Sequence, residues 1–204
     1  MVSMFSLEGK NAAVVGGASG IGEAVATAFA EHGASVLCLD VDIAGALDTA
    51  ATITEMGGEA DAGQLNILDG KAVTAAFESF NVKKGSLDIV VCTPGVNVRK
   101  PILEYTDEDI DRVLGVNLKG NAHVIQAAGR IMTSQGSGSI ILFSSIRSVV
   151  VEPGQSLYAA TKAGIVQMVR AAAAELGPSG VRVNAIAPGV IDTPLTAPIK
   201  DNPA

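Results

Sequence analysis

Short apolar runs alternate with longer helical patterns along most of the chain, and no other feature constrains the fold as strongly. The runs are residues 11–15, 34–39, 60–65, 87–92, 138–143 and 181–186, rich in Val, Ile, Leu and Ala; the third is the weakest. Helical patterns cover residues 21–31, 43–56, 71–80 and 157–176, with a longer one that Thr106 caps and that reaches about residue 132. Apolar runs bounded by turn residues suit strands buried on both faces. Strands alternating with helices pair in parallel, because parallel neighbours need a crossover connection. The expectation is one α/β domain over residues 1–204, a doubly wound parallel sheet in three layers, α/β/α. No linker, repeat or low-complexity stretch divides it.

Composition agrees with a large buried fraction: 48% of residues are hydrophobic and 17% charged. The net charge is −7, and no basic run exceeds Lys83–Lys84, which argues against nucleic acid as a partner. Cys38 and Cys92 each sit inside an apolar run and are expected as small buried hydrophobes, not as a disulfide or metal ligands. The N-terminus has no signal-peptide pattern and no apolar run reaches membrane length, so a cytoplasmic protein without a membrane partner is expected. Beyond Ala187 the prolines and glycines (Pro188, Gly189, Pro194, Pro198, Pro203) read as loop.

Chemistry enters at the end of the first predicted strand. Gly16, Gly20 and Gly22 carry the spacing G-x-x-x-G-x-G, with Ser19 and Ile21 between them, immediately before a helix. Glycines there allow a tight turn and let a pyrophosphate approach the amides of a helix N-terminus. Asp40 closes the second strand eighteen residues after Gly22. A carboxylate at that place can accept both hydroxyls of an adenosine ribose and would repel a 2′-phosphate. No Arg or Lys stands beside it, so NAD is expected over NADP as cofactor.

Tyr158 and Lys162 are four residues apart on a predicted helix and share one face. An ammonium near a phenol favours the phenolate, which suits an acid/base for a carbonyl–alcohol couple. Ser145 follows the fifth strand and could hydrogen-bond a substrate oxygen. Asn117 falls inside the long helix, where Asn is a poor helix former; the plain alternative is an exposed polar residue.

The segments GGASGIG, VNLKG, FSS, YAATK and NAIAPGVIDTPL, in this order, resemble the short-chain dehydrogenase/reductase family from Leu7 to about Leu195. The resemblance implies a Rossmann-like fold and a catalytic tetrad of Asn117, Ser145, Tyr158 and Lys162. In that reading Ser145 orients the substrate oxygen and Tyr158 passes the proton. Lys162 binds the nicotinamide ribose and keeps Tyr158 acidic, and Asn117 anchors a water relay. The nicotinamide end falls to Pro188, Gly189, Ile191 and Thr193, and the remaining cofactor contacts to Asn66, Ile67 and Gly95. A homotetramer or homodimer through helices 107–132 and 157–176 is also implied.

The sequence departs from the family pattern in three places. Val15 replaces a Thr before the first glycine, and Asn66 replaces an adenine-contacting Asp. Cys92-Thr93-Pro94-Gly95 replaces Asn-Asn-Ala-Gly, putting loop stability and cofactor position in question. Family members also continue through a lid, a helix and a seventh strand, whereas this sequence ends inside the expected lid. The leading expectation is an enzyme interconverting a secondary alcohol and a ketone on a small-molecule substrate, with Arg99 and Arg147 as candidates for holding a polyol, sugar acid or oxo acid. The alternatives are a 3-oxoacyl thioester reductase, against which Asp40 argues, and a non-catalytic dinucleotide-binding scaffold, against which the intact tetrad argues.

Overall fold

A computed structural model describes residues 4–193. Its six strands are β1 (Asn11–Val15), β2 (Ser35–Asp40), β3 (Glu59–Gln64), β4 (Ile89–Cys92), β5 (Gly138–Phe143) and β6 (Val181–Ile186). They form one sheet in the order β3-β2-β1-β4-β5-β6, with every pairing parallel. The helices are α1 (Gly20–Glu31), α2 (Ile43–Glu55), α3 (Gly70–Lys84), α4 (Asp107–Leu114), α5 (Asn121–Gln135) and α6 (Ser156–Leu176). The chain runs outward from β1 to β3, then returns across β1 to build β4 to β6. Strand order therefore reverses between β1 and β4, and the crevice beyond their C-terminal ends is where such sheets place ligands.

Successive strand residues face opposite sides, and the core divides accordingly. Ala13, Val15, Cys92, Ile140 and Leu142 pack with Phe77, Met132 and Ile165 on one face. Ala12, Val14, Val36 and Cys38 pack with Ala26, Ala46 and Ile53 on the other. Val15 pairs with both Leu39 and Cys92, so the residue entering the glycine loop is fixed between two neighbours. Both cysteines are buried and free, and burial raises their thiols to about 11 at Cys38 and about 12 at Cys92.

The helix starts follow from local chemistry. Thr106 and Asp109 form a reciprocal capping box at the start of α4. Asp42 and Asp69 cap α2 and α3 by accepting backbone N–H groups, two caps the hydrophobic pattern did not reveal. The helix expected from residue 106 to 132 is instead interrupted. Gly115–Gly120 forms a widened π turn, after which α5 continues to Gln135. Asn117 lies at its centre, fully buried, and its carbonyl accepts a bond from the Asn121 amide at 2.9 Å. An apolar periodicity cannot register one widened turn, because the flanking faces stay continuous.

Residues 187–193 carry no helix or strand, as expected; Pro194, Pro198 and Pro203 lie outside the described residues. No helix among the described residues is long and apolar enough to cross a membrane.

The turn that feeds β6 rests on Gly180, at φ +77°, where a Cβ would stand 2.2 Å from the Gly136 carbonyl oxygen. Gly180→Ala is expected to destabilise the fold by about 2–4 kcal/mol, combining left-handed strain with a backbone clash. Urea unfolding checks this: the midpoint should fall with an unchanged m-value.

Candidate active site

The crevice beyond β1 and β4 opens as a cleft of about 470 Å³. Gly16, Ser19, Gly20, Ile21, Asp40, Asn66, Ile67, Gly95 and Thr193 all line it, bringing nine of the expected cofactor positions together. Gly22 lies beneath, where a Cβ would stand 1.9 Å from the Gly16 carbonyl oxygen, so the loop closes only around glycine. Gly16 has φ +85°, and a Cβ there would meet the Thr93 hydroxyl at 2.2 Å. Ser19 stands at the N-cap of α1 without a side-chain cap bond, leaving the first amides of a twelve-residue helix facing the loop. These features fit a dinucleotide's pyrophosphate.

Asp40 is held in place before any ligand arrives. Its Oδ2 accepts the Ala18 N–H at 3.1 Å and its Oδ1 accepts the Asp42 N–H at 3.0 Å. The carboxylate therefore braces the glycine loop as well as facing the cleft. Asn66 uses its Oδ1 to accept the Leu68 N–H at 3.0 Å, closing a local turn. Ile67 is buried against Gly120, where a Cβ would come within 2.6 Å of two of its side-chain atoms, so the π turn backs this wall of the cleft.

The unusual segment after β4 is repaired by Thr93, a residue the sequence did not single out. Its hydroxyl lies 3.1 Å from the Val15 carbonyl and 3.3 Å from that of Gly16, tying β4 to the glycine loop. Asn117 continues the repair: its Oδ1 accepts the Val96 N–H at 2.8 Å, and its Nδ2 reaches the Val96 carbonyl at 2.9 Å and Thr161 Oγ1 at 3.0 Å. The exposed-residue alternative for Asn117 is thus overturned. Arg112 and Val116, one turn apart on α4 and the π turn, also line the cleft and were missed.

Ser145, Tyr158 and Lys162 lie close to one another, with Lys162 reaching Gly95 on the wall of this cleft. Ser145 is buried, acts on the Tyr158 hydroxyl to ease loss of its proton, and accepts the Arg147 backbone N–H at 3.1 Å. The Lys162 ammonium lies 5.5 Å from the Tyr158 ring centre and donates to the Phe143 carbonyl at 2.8 Å. A Cβ on Gly95 would stand 3.2 Å from Lys162 Nζ and 3.7 Å from Asn117 Oδ1, so all four expected catalytic side chains share one neighbourhood. Ser144, also missed, donates to the Lys162 carbonyl at 2.8 Å and anchors α6 to the end of β5. Pro188 accepts the Ile146 N–H at 2.9 Å, pinning the loop after β6 beside Ser145, while Gly189 and Ile191 are exposed.

Burial raises the Tyr158 phenol above 10; the Ser145 bond and the charges of Arg147 and Arg99 oppose the rise. The phenol is therefore raised, where the sequence led to the expectation of an acidified one. Burial also pushes the Lys162 ammonium from 10.5 down to about 8. Both arginines bind one carboxylate: Arg99 Nη1 donates to Glu152 Oε1 at 2.9 Å and Arg147 pairs with Glu152 Oε2. A second rung joins the same loops, with Asn97 Nδ2 donating to Gln155 Oε1 at 2.8 Å. Among the described residues no cluster of His, Cys, Asp or Glu could hold a metal ion.

Family comparison agrees with this geometry. A family model described as enoyl-(acyl carrier protein) reductase matches residues 16–204. The chain belongs to the short-chain dehydrogenase/reductase family. It is 38% identical over 191 residues to the 3-oxoacyl-(acyl-carrier-protein) reductase of Thermotoga maritima, covering 93% of this chain and 77% of the relative. It is likewise 38% identical over 205 residues to the (3R)-3-hydroxyacyl-CoA dehydrogenase of Mus musculus, covering 96% and 79%. A solved gluconate 5-dehydrogenase from Burkholderia cenocepacia, in complex with NADP and tartrate, superposes with a TM-score of 0.94 at 30% identity, covering 99% and 79%. Family members such as these are oxidoreductases acting on CH–OH groups.

The buried lysine yields a stability test. Lys162 is harder to protonate folded than unfolded, so the unfolded chain binds more protons between pH 8 and 10.5, and stability from this group rises with pH across that window. The downward displacement corresponds to a penalty of ~3 kcal/mol at neutral pH, partly offset by the Phe143 bond. Lys162→Met should gain stability relative to wild type at pH 7, and that gain should shrink by ~2 kcal/mol by pH 10. Comparing the two proteins at each pH removes the opposite alkaline trend from Cys38. Denaturant midpoints at pH 7, 8.5 and 10 check it.

Proposed function

We propose that the protein is an NAD-dependent oxidoreductase interconverting a secondary alcohol and a ketone, with Tyr158 as acid/base and a polyol, sugar acid or oxo acid as substrate. The observation that carries this reading is the Lys162 ammonium set 5.5 Å from the Tyr158 ring centre and beside Gly95, which lines the glycine-floored cleft. A bound nicotinamide would supply or take the hydride at the substrate carbon. The protein's own residues do the rest. Ser145 orients the substrate oxygen, and Tyr158 gives its proton to that oxygen in reduction or takes it in oxidation. Lys162 is placed to bond a ribose hydroxyl, and Asn117 holds the β4 loop beside it. Asn66, Ile67 and Gly95 form the adenine and ribose walls, and Pro188, Gly189, Ile191 and Thr193 receive the nicotinamide end.

NAD is preferred over NADP in this reading because Asp40 is fixed at the ribose end and would repel a 2′-phosphate. The neighbour with bound NADP and tartrate supports a nicotinamide dinucleotide and a hydroxy-acid substrate. A second reading, a 3-oxoacyl thioester reductase, draws on the Thermotoga and mouse relatives; Asp40 weighs against its NADP-linked form. Self-association would use the groove between α5 and α6, lined by small and apolar residues such as Ala122, Gly129, Met168 and Leu176.

The test follows NADH absorbance while the protein meets NAD and a panel of secondary alcohols, polyols and sugar acids. Tyr158→Phe should lower turnover ~10²–10⁴-fold while NADH still binds; unchanged turnover would remove Tyr158 from the chemistry. Asp40→Ala should narrow the preference for NAD over NADP by about tenfold, read as the ratio of the two kcat/KM values. Faster reduction of acyl thioesters than of small ketones would select the second reading.

A further inference from the structure

We infer that Arg99 and Arg147, bracketed by Glu152, form a recognition site for one negative charge on the substrate, and that Glu152 sets how many charges the site accepts. The inference rests on the reading of Tyr158 as the acid/base and names the substrate class it acts on.

Three observations place the site. Both guanidinium charges act on the Tyr158 hydroxyl, so both lie within electrostatic range of the reacting oxygen. The Arg147 backbone N–H bonds Ser145 Oγ at 3.1 Å, so the backbone that carries this guanidinium is fixed two residues from the hydroxyl that orients the substrate oxygen. Glu152 binds Arg99 through one carboxylate oxygen and Arg147 through the other, fixing the two guanidinium groups as a pair. The loops carrying them are braced by the Asn97–Gln155 bond at 2.8 Å and by the Lys100 N–H to the Gly154 carbonyl at 3.1 Å. The recognition groups are therefore positioned before substrate binds.

Charge counting then gives the specificity. Two arginines and one glutamate leave a single positive charge. The other cation on this loop, Lys100, is already matched by Asp109 at 2.5 Å. Each guanidinium presents a fork of donors, and Glu152 occupies only part of each. A monocarboxylate brings the cluster to neutrality on the remaining donors. A neutral polyol leaves one charge unmatched, and a dicarboxylate brings one too many. With side-chain exposures of 43% for Arg99, 23% for Arg147 and 31% for Glu152, the pair is open enough for a ligand and shielded enough for charge to matter.

The test compares matched four-carbon probes: erythritol (neutral), threonate (one charge) and tartrate (two charges). Ratios of NAD-linked kcat/KM are read for wild type, Glu152→Gln and Arg99→Gln. Wild type should favour threonate over erythritol by about tenfold or more. Glu152→Gln should raise the tartrate-to-threonate ratio about tenfold, and Arg99→Gln should lower the threonate-to-erythritol ratio by a similar factor. In parallel, calorimetry of each probe against the protein with saturating NADH reads the same order without turnover. Absent turnover with an intact charge order would sink the Tyr158 reading and keep this one. Ratios within twofold of wild type in both variants would overturn it, as would calorimetry blind to probe charge; the arginines would then serve only to tie the loops.

Discussion

The amide of Asn117 is the interaction on which the site depends. Its oxygen and nitrogen clasp the backbone N–H and carbonyl of Val96, and the nitrogen also reaches Thr161 on α6. Three parts of the chain far apart in sequence are thereby fixed to one another: the loop after β4, the π turn, and the helix that carries Tyr158 and Lys162. A buried amide must satisfy its polar atoms or destabilise the fold. Here each satisfied bond also sets the distance between the cleft and the acid/base. The widened turn makes this possible, because it turns Asn117 into the interior and leaves Asn121 to bond the Asn117 carbonyl.

Burying Lys162 beside Tyr158 has a cost that the surrounding fold bears. The ammonium finds one backbone carbonyl, that of Phe143, and the face of a phenol ring. That environment weakens its hold on a proton, while desolvation strengthens the hold of Tyr158. In water an ammonium at 10.5 and a phenol at 10.0 nearly match; here Lys162 falls to about 8 while Tyr158 rises, so the two move apart and the phenol keeps its proton at moderate pH, ready to donate it. Sites of this kind are commonly stabilised elsewhere. In this protein the compensation is visible in the sheet, where β1 is buried between β2 and β4 and its last four residues are almost wholly inaccessible.

The fold was legible because burial on both faces leaves a strong apolar signal in the inner strands, while edge strand β6 alternates; each of the six runs lies within one or two residues of its strand. The weakest, β3, is an edge strand of mixed polarity, which is why its pattern was faint. The glycines and Asp40 were legible from spacing, since a loop between strand and helix has few solutions. What escaped was polar and long-range. Thr93, Ser144 and Thr161 act through single hydroxyls on distant backbone or side-chain atoms, and nothing in their local sequence announces a partner. Glu152 belongs to the same class: an acidic residue in a Val-rich loop reads as a solvated charge until Arg147 of its own loop and Arg99 from the loop after β4 are seen around it.

The departures from the family pattern also make sense together. Replacing two amide side chains after β4 removes bonds that would hold that loop, and Val15 removes a hydroxyl next to the first glycine. Thr93 supplies a hydroxyl from the end of the neighbouring strand β4, reaching the carbonyls of both Val15 and Gly16. Pro94 then limits the backbone freedom of the loop without needing a side-chain partner. Gly16 packs so tightly against both residues that a Cβ would clash with Thr93 Oγ1 and Pro94 Cδ. Valine, threonine and proline therefore act together: Thr93 supplies the hydrogen bonds to the carbonyls of Val15 and Gly16, and Pro94 packs against Gly16.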